Sequence, residues 1–189
     1  NGIGPNNGND GLTPERAFST LDYAIGKCTA NRGDKIIVLP GHAETVSGAT
    51  TIAMDVAGIS IIGMGDGALM PLFSFSATTS NIAVSAANIK VQGIAIIATI
   101  DSVVAGFTIS AAGVEMDIET RDTSSLIEFV SCFVTTSAGD NLKLRARHKG
   151  FVAGNAMVRY IDLVGVRDAE IDVDFFGIAS TSVVDMRTT

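Results

Sequence analysis

Apolar and polar residues alternate in short runs along most of this 189-residue chain, and the runs recur at a regular spacing. Ile59 and Ile61, Ile89 and Val91, Val114, Met116 and Ile118, Leu142 and Leu144, and Ile171, Val173 and Phe175 stand two apart with polar residues between them. Period two is the mark of a strand with one buried face, not of a helix. The leading residues of these runs, Ile59, Ile89, Val114, Leu142 and Ile171, are spaced 30, 25, 28 and 29 residues apart. A self-similarity of that length marks a stacked-repeat architecture.

Around the leading residues the wording itself repeats, as in "SAANIKVQG" at 85–93 and "SAAGVEMDI" at 110–118. Four of the five residues before them are Gly or Asn (Gly58, Asn88, Gly113, Asn141), the types that best tolerate a left-handed backbone; Glu170 is the fifth. A second apolar position, Ile52, Ile82 or Phe107, lies six residues before the first three of these corners. Each unit therefore predicts a strand, a one-residue corner, a second strand and a longer return. "PLFSFSA" at 71–77 and "SLIEFVSCFV" at 125–134 are the candidates for a third face on that return. Three short strands per coil of 25–30 residues predict a single-stranded parallel β-helix of about five coils, an all-β fold.

The opening of the chain differs. Thr13 and Pro14 offer an N-cap and a first helical residue, and Phe18, Leu21, Ala24, Ile25 and Cys28 fall on one face at helical spacing. "NRGD" at 31–34 ends that helix, and "KIIVLPG" at 35–41 begins the first strand. The predicted division is 1–33 for an opening loop and capping helix, and 34–189 for the β-helix, with other sequence continuing or following it. The helix is expected to plug the open end of the hydrophobic column.

Composition sharpens this picture. Apolar residues make up 47% of the chain, yet aromatics only 6%, with no Trp, which favours tight corners and small side chains over a helical core. A net charge of −7 argues against a nucleic-acid surface or docking on anionic lipid. Cys28 and Cys132 are too few for a disulfide framework and are expected to be buried free thiols. The chain shows no leader pattern, no initiator Met and no membrane-length apolar run, and is expected to be processed or part of something longer.

The segment "NDGLTPERAFSTLDYAIGKC…GDKIIVLPGHAETV", followed by "VAGISIIGMGDG" and "SAANIKVQGI", resembles the pectate-lyase-like right-handed parallel β-helix proteins. It is most similar to the versions found among bacteriophage virion proteins. The opening motif covers about the first 45 residues, and the repeats extend the likeness over most of the chain. The resemblance implies a right-handed coil. For function it implies less, since enzymes, adhesins and inert virion parts share the fold.

Candidate chemistry can be tested on the repeat, because equivalent positions of successive coils stack roughly 4.8 Å apart. One residue after each leading position the column reads Ser60, Lys90, Glu115, Lys143, Asp172; three after, it reads Ile62, Gln92, Asp117, Arg145, Asp174. Charges alternate in sign, as a solvent-facing ladder requires. A catalytic acid pair or a calcium site would instead gather carboxylates. The ladder is therefore expected to set register and solubility.

Other sites are weaker. His42 and Glu44 lack a third metal ligand and are expected to be structural, as the family opening implies. His148 sits with Arg145, Arg147 and Lys149 in the one basic run, expected to be a solvated face. "GMGDG" at 63–67 leads toward a strand rather than a helix and is expected to be a corner, not a phosphate loop. "NNGNDG" at 6–11 lacks the distal acid of a calcium loop. No catalytic, cofactor or metal residues can be assembled, and no cofactor is expected.

With the resemblance, this gives a non-enzymatic bacteriophage virion protein: a capsid decoration, head-fibre or tail-associated subunit, assembled in the host cytoplasm. Its expected partners are other virion proteins and its own copies, with a homotrimer implied by the family. The alternative is a tailspike that depolymerises surface polysaccharide, with Glu115, Asp117, Glu119 and Asp122 as its acids. A secreted adhesin or lyase is the third expectation.

Overall fold

A computed structural model describes residues 4–49, 51–122, 127–149, 157–177 and 179–187. The chain winds through β1 (Lys35–Val38), β2 (Ala43–Val46) and β3 (Ile52–Met54), then β4 (Ser60–Gly63), β5 (Leu72–Phe75) and β6 (Ile82–Val84). It continues with β7 (Lys90–Ala98) and β8 (Val103–Ile109), β9 (Glu115–Arg121) and β10 (Phe129–Thr135), β11 (Lys143–Lys149) and β12 (Met157–Val164), and β13 (Glu170–Phe175) and β14 (Ala179–Arg187). All strand pairs are parallel. One sheet runs β1-β4-β7-β9-β11-β13, with β2 and β5 extending it beside β7; the other runs β14-β12-β10-β8-β6-β3. The result is a parallel β-solenoid of about five turns.

Three strands per coil hold only for the first two coils. In the third, Lys90–Gln92 pair with β4 and Ala95–Ala98 pair with β5, so two strands have fused into one long β7 with a register shift between Gln92 and Ile94. The early coils are interrupted there by Pro40–Gly41 and by the Gly-rich turn before Pro71, whereas "EMDIETR" runs uninterrupted through β9. "PLFSFSA" supplies β5, on the first sheet. "SLIEFVSCFV" does not form a third face; its described part enters β10, which pairs with β8 and β12 in the second sheet, while residues 125 and 126 lie outside the described residues.

The corner between the sheets is a column of left-handed residues. Asn31, Gly58, Asn88, Gly113, Asn141 and Asp168 have φ of 58°, 74°, 58°, 71°, 55° and 55°. Each N–H of the first five donates to the next coil, as in Asn88 N to Ala112 O at 3.0 Å and Gly113 N to Asp140 O at 2.9 Å. A Cβ on Gly113 would collide with Asn88 Oδ1, so Gly alternates with Asn for space as well as for φ. This corrects the last repeat: Glu170 lies opposite Lys143, so the leading residue there is Ala169, not Ile171, and its corner residue is Asp168.

Inside, each sheet contributes apolar columns. Ile61, Val91, Met116 and Leu144 stack on one side, and Ile52, Ile82, Phe107, Phe133 and Ile161 on the other. All are buried, each worth about 1.5–3 kcal/mol of transfer free energy. At the N-terminal end a short helix, α1 (Leu21–Ile25), puts buried Leu21 and Ile25 against this core. It is far shorter than its sequence period. Thr13 makes no side-chain capping bond and Pro14–Arg16 form only a 3-10 turn. The Asn-rich opening captures the intervening backbone: Asn9 Nδ2 donates to Ala17 O at 2.8 Å, and Asn7 Oδ1 accepts from Ser19 N at 2.9 Å. Side chains that satisfy backbone groups locally compete with helix formation, and here they win.

Candidate functional site: the charged face and the polar chain beneath it

On the outer side of the first sheet, pairing sets Lys35, Ser60, Lys90, Glu115, Lys143 and Glu170 in one column. A second reads Ile37, Ile62, Gln92, Asp117, Arg145 and Asp172, and a third Ala95, Glu119, Arg147 and Asp174. Signs alternate between coils as the sequence suggests, but the last coil enters two residues earlier than expected. Along the outer face β9 carries the acids Glu115, Asp117 and Glu119 before ending on Arg121, β11 carries cations and β13 acids. Ion pairs join them, with Lys90 Nζ to Glu115 at 2.7 Å, Arg147 Nη2 to Asp117 at 2.8 Å and Arg145 Nε to Asp172 at 3.4 Å. Such exposed pairs contribute about 0–1 kcal/mol each. A shallow groove of about 340 Å³ runs over this face between Lys90, Glu115, Asp117, Arg145, Glu170 and Asp172.

Glu119 is the exception to exposure. Its buried carboxylate accepts from Arg121 Nε at 2.6 Å and pairs with Lys149 Nζ at 2.8 Å. Burial alone would raise its pKa; the hydrogen bonds from Lys149 and Arg121 outweigh it and hold the group below its usual value. Arg121 also reaches Gly67 O at 2.9 Å, pinning the "GMGDG" turn against β9. That turn opens only a three-residue 3-10 segment, Gly67–Leu69, with Asp66 Oδ1 accepting from Gly67 N at 2.7 Å.

The four acids named from sequence do not converge. Glu115, Asp117 and Glu119 stand in a row along β9, each with its cation, while Asp122 lies past the strand's end with its Oδ2 3.3 Å from His148 Nε2. His148 likewise departs from its basic run. Arg145, Arg147 and Lys149 face outward, but His148 points into the core and stacks on Phe175 at 4.9 Å.

There it joins a polar chain that sequence reasoning missed. Thr120 Oγ1 lies 2.8 Å from His148 Nδ1 and 3.0 Å from Tyr160 OH. Hydroxyl, imidazole and carboxylate in that order have the members of a nucleophile relay. Yet Thr120 and His148 are 1% and 3% exposed, and the Thr120 hydroxyl is already engaged by Tyr160, so no substrate carbonyl reaches it. Burial also raises the Tyr160 hydroxyl well above its ordinary pKa, keeping it a neutral hydrogen-bonding group. The only advance signal was two polar residues in the inward column Phe73, Ile96, Thr120, His148, Phe175.

The remaining candidates resolve into structure. Glu44 Oε2 accepts from Leu21 N at 2.8 Å, capping α1 from the neighbouring strand, and His42 Nε2 sits 3.0 Å from the same oxygen. Among the described residues no three His, Cys, Asp or Glu are grouped to hold a metal. In "NNGNDG", Asn6 Oδ1 accepts from Gly8 N and Asp10 pairs with Arg16, which makes a loop tied to itself. Cys28 is half-buried and Cys132 fully buried, both free thiols. On the second sheet an unforeseen cluster joins Asp162 to Arg187 and Arg159 to Asp185 at 2.7 Å.

The fold and its faces define a parallel β-solenoid protein whose outward acids on β9, Glu115, Asp117 and Glu119, are ion-paired with neighbouring cations. No protein-family model matches the chain, and no curated protein or solved structure is significantly similar to it.

Proposed function

We propose that this chain is a non-enzymatic structural subunit of a bacteriophage particle, a capsid decoration, head-fibre or tail-associated protein that docks through the side of its solenoid. The observation that carries the non-enzymatic part is the charged face. Glu115, Asp117 and Glu119 each hold an ion pair with Lys90, Arg147, or Arg121 and Lys149, so none of these three stands free to serve as acid or nucleophile. The virion part rests on the resemblance of the opening motif and repeats. Its partners in this proposal are other virion proteins and its own copies, a trimer by that resemblance, with neither nucleic acid nor membrane. The particle is its location, after assembly in the host cytoplasm.

A tailspike-like polysaccharide depolymerase is the second reading, favoured by the groove beside Glu115, Asp117, Glu170 and Asp172. Electron cryomicroscopy of particles carrying the chain separates the two. Solenoid density on the shell lattice upholds decoration. Density at a tail tip, with release of reducing ends from host polysaccharide that Glu115→Gln and Asp117→Asn abolish, favours the depolymerase. Absence of the chain from purified particles refutes both.

A further inference from the structure

The capping helix covers only part of the first coil. α1 leans over β2 and β3: Leu21 N donates to Glu44 Oε2 at 2.8 Å, and Ala53 N donates to Asp22 Oδ1 at 3.0 Å. β1 has no such cover. Ile36 faces inward, level with Ile61 of the next coil, yet it is only half-buried where Ile61 is fully buried. Cys28, just past α1, is half-buried against the same core. Between them lies a groove of about 890 Å³, within the roughly 300–1,000 Å³ typical of small-molecule sites.

One wall of the groove is β1 with Ile36, Ile37 and Leu39; the other carries Leu12, Phe18 and Cys28. The second wall is held in place. Phe18 packs edge-on against Tyr23 at 5.1 Å and fills the space beside Gly11, where a Cβ would collide with its ring. Asn9 and Asn7 hold the backbone on either side of it, at Ala17 and Ser19. The cleft is therefore preformed. Its charge is unbalanced. The acids on it are engaged, Asp10 by Arg16 at 2.8 Å and Asp34 by Arg32 at 2.7 Å. The cations Lys27 and Lys35 also line it, and among the described residues neither meets a carboxylate; Lys27 rests over the Tyr23 ring at 4.5 Å. In a chain of net charge −7, an apolar groove here offers two ammonium groups to an anion.

We infer that the groove between the cap and β1 binds a small amphipathic anion, an organic acid whose apolar body lies among Ile36, Phe18 and Cys28 and whose carboxylate meets Lys27 and Lys35. Removing the body and the half-covered core from water supplies the affinity. The two ammonium groups orient the ligand and select the sign of its head. The site stands apart from the groove over β9 and β11, and it holds or fails independently of the virion reading.

Decanoate is the probe, titrated into the full chain below its micelle concentration by isothermal titration calorimetry. Saturable binding of one molecule per chain is expected. Cys28 reports the place: its alkylation by iodoacetamide, followed by mass spectrometry, should slow as decanoate fills the groove. Cys132, fully buried, should stay unlabelled throughout. Combined Lys27→Gln and Lys35→Gln should weaken binding about tenfold, two exposed pairs acting together. Combined Lys143→Gln and Arg167→Gln, the same charge change on distant coils, should leave it unchanged. Decyltrimethylammonium, with the same chain and a cationic head, should bind far more weakly than decanoate. Circular dichroism establishes that both variants fold. No saturable binding, binding that leaves Cys28 alkylation unchanged, equal affinity for the cationic amphiphile, or equal weakening by the control variant would each overturn the inference.

Discussion

Replacing Phe133 by Ala attacks the interior at its most ordered point. Phe133 is completely buried, stacked on Phe107 with centroids 5.6 Å apart and planes 3° from parallel, and edge-on to Tyr160 at 5.7 Å. Phe-to-Ala changes in cores cost about 3–5 kcal/mol, and aromatic pairs add about 0.5–1.5 kcal/mol each. The upper part of that range applies if the site cannot collapse. Here β8, β10 and β12 are held about 4.8 Å apart by their ladders, so the neighbouring rings cannot move in to fill the void. The expected loss is about 4 kcal/mol, a fall in Tm of roughly 8–16 °C for a chain of this size. Urea unfolding followed by circular dichroism measures the free energy and calorimetry the Tm. Leu12→Ala, at a well-exposed position, serves as the control and should change stability by less than about 0.5 kcal/mol. A Phe107→Leu and Phe133→Leu double-mutant cycle should return a coupling of about 1 kcal/mol. If Phe133→Ala costs less than about 1 kcal/mol, or no more than the control, the stacked column is not what holds the coils together.

Three further outcomes follow from the same geometry. At the corner, Asn88→Ala should cost about 1 kcal/mol in urea unfolding while Asn88→Gly stays close to neutral, because φ there is 58°. Ellman's reagent should not label Cys132 in the folded protein, where burial holds the thiol well above its usual pKa, and should label Cys28 slowly; rapid native labelling of Cys132 would contradict the assigned interior. Glu119 has a lowered folded-state pKa, so its stabilisation is present above the ordinary Glu value of about 4.3 and is lost as pH falls below it. Glu119→Gln should therefore flatten the decline of Tm in acid, and an unchanged acid profile would refute the assignment.

How much of this was legible beforehand depended on whether the signal was local. The corner residues Gly58, Asn88, Gly113 and Asn141 announce themselves because a left-handed backbone restricts residue type, and the coil spacing follows from them. The capping helix was overread because Phe18, Leu21 and Ile25 do have helical spacing, while the Asn7 and Asn9 side chains that unwind its first half leave no trace in a hydrophobic period. The buried chain was invisible for a different reason. Thr120, His148 and Tyr160 lie in three different strands, 28 and 40 residues apart, and only the register brings their polar atoms together.

The slip of the last repeat exposes a property of the molecule itself. "EIDVDF" alternates so regularly that Ile171 mimics a leading residue, and shifting by two leaves every apolar and charged position satisfied. The folded chain faces the same degeneracy. Lys143, Arg145, Arg147 and Lys149 are all cations, and Glu170, Asp172 and Asp174 all acids, so a two-residue slip of β13 on β11 would still pair opposite charges. Between β11 and β13, then, charge alone does not distinguish the two registers. It specifies which strands are neighbours: charges two apart along a strand are roughly 7 Å from each other, while those on adjacent coils are about 4.8 Å apart, so sign alternation is felt most strongly between coils. Register falls to the corner, where Asn141 N meets Arg167 O and Asp168 must turn left-handed; a slip by two would put Glu170, the first residue of β13, into that conformation. Corner chemistry fixes where each coil sits, and the stripes of charge fix what it sits beside.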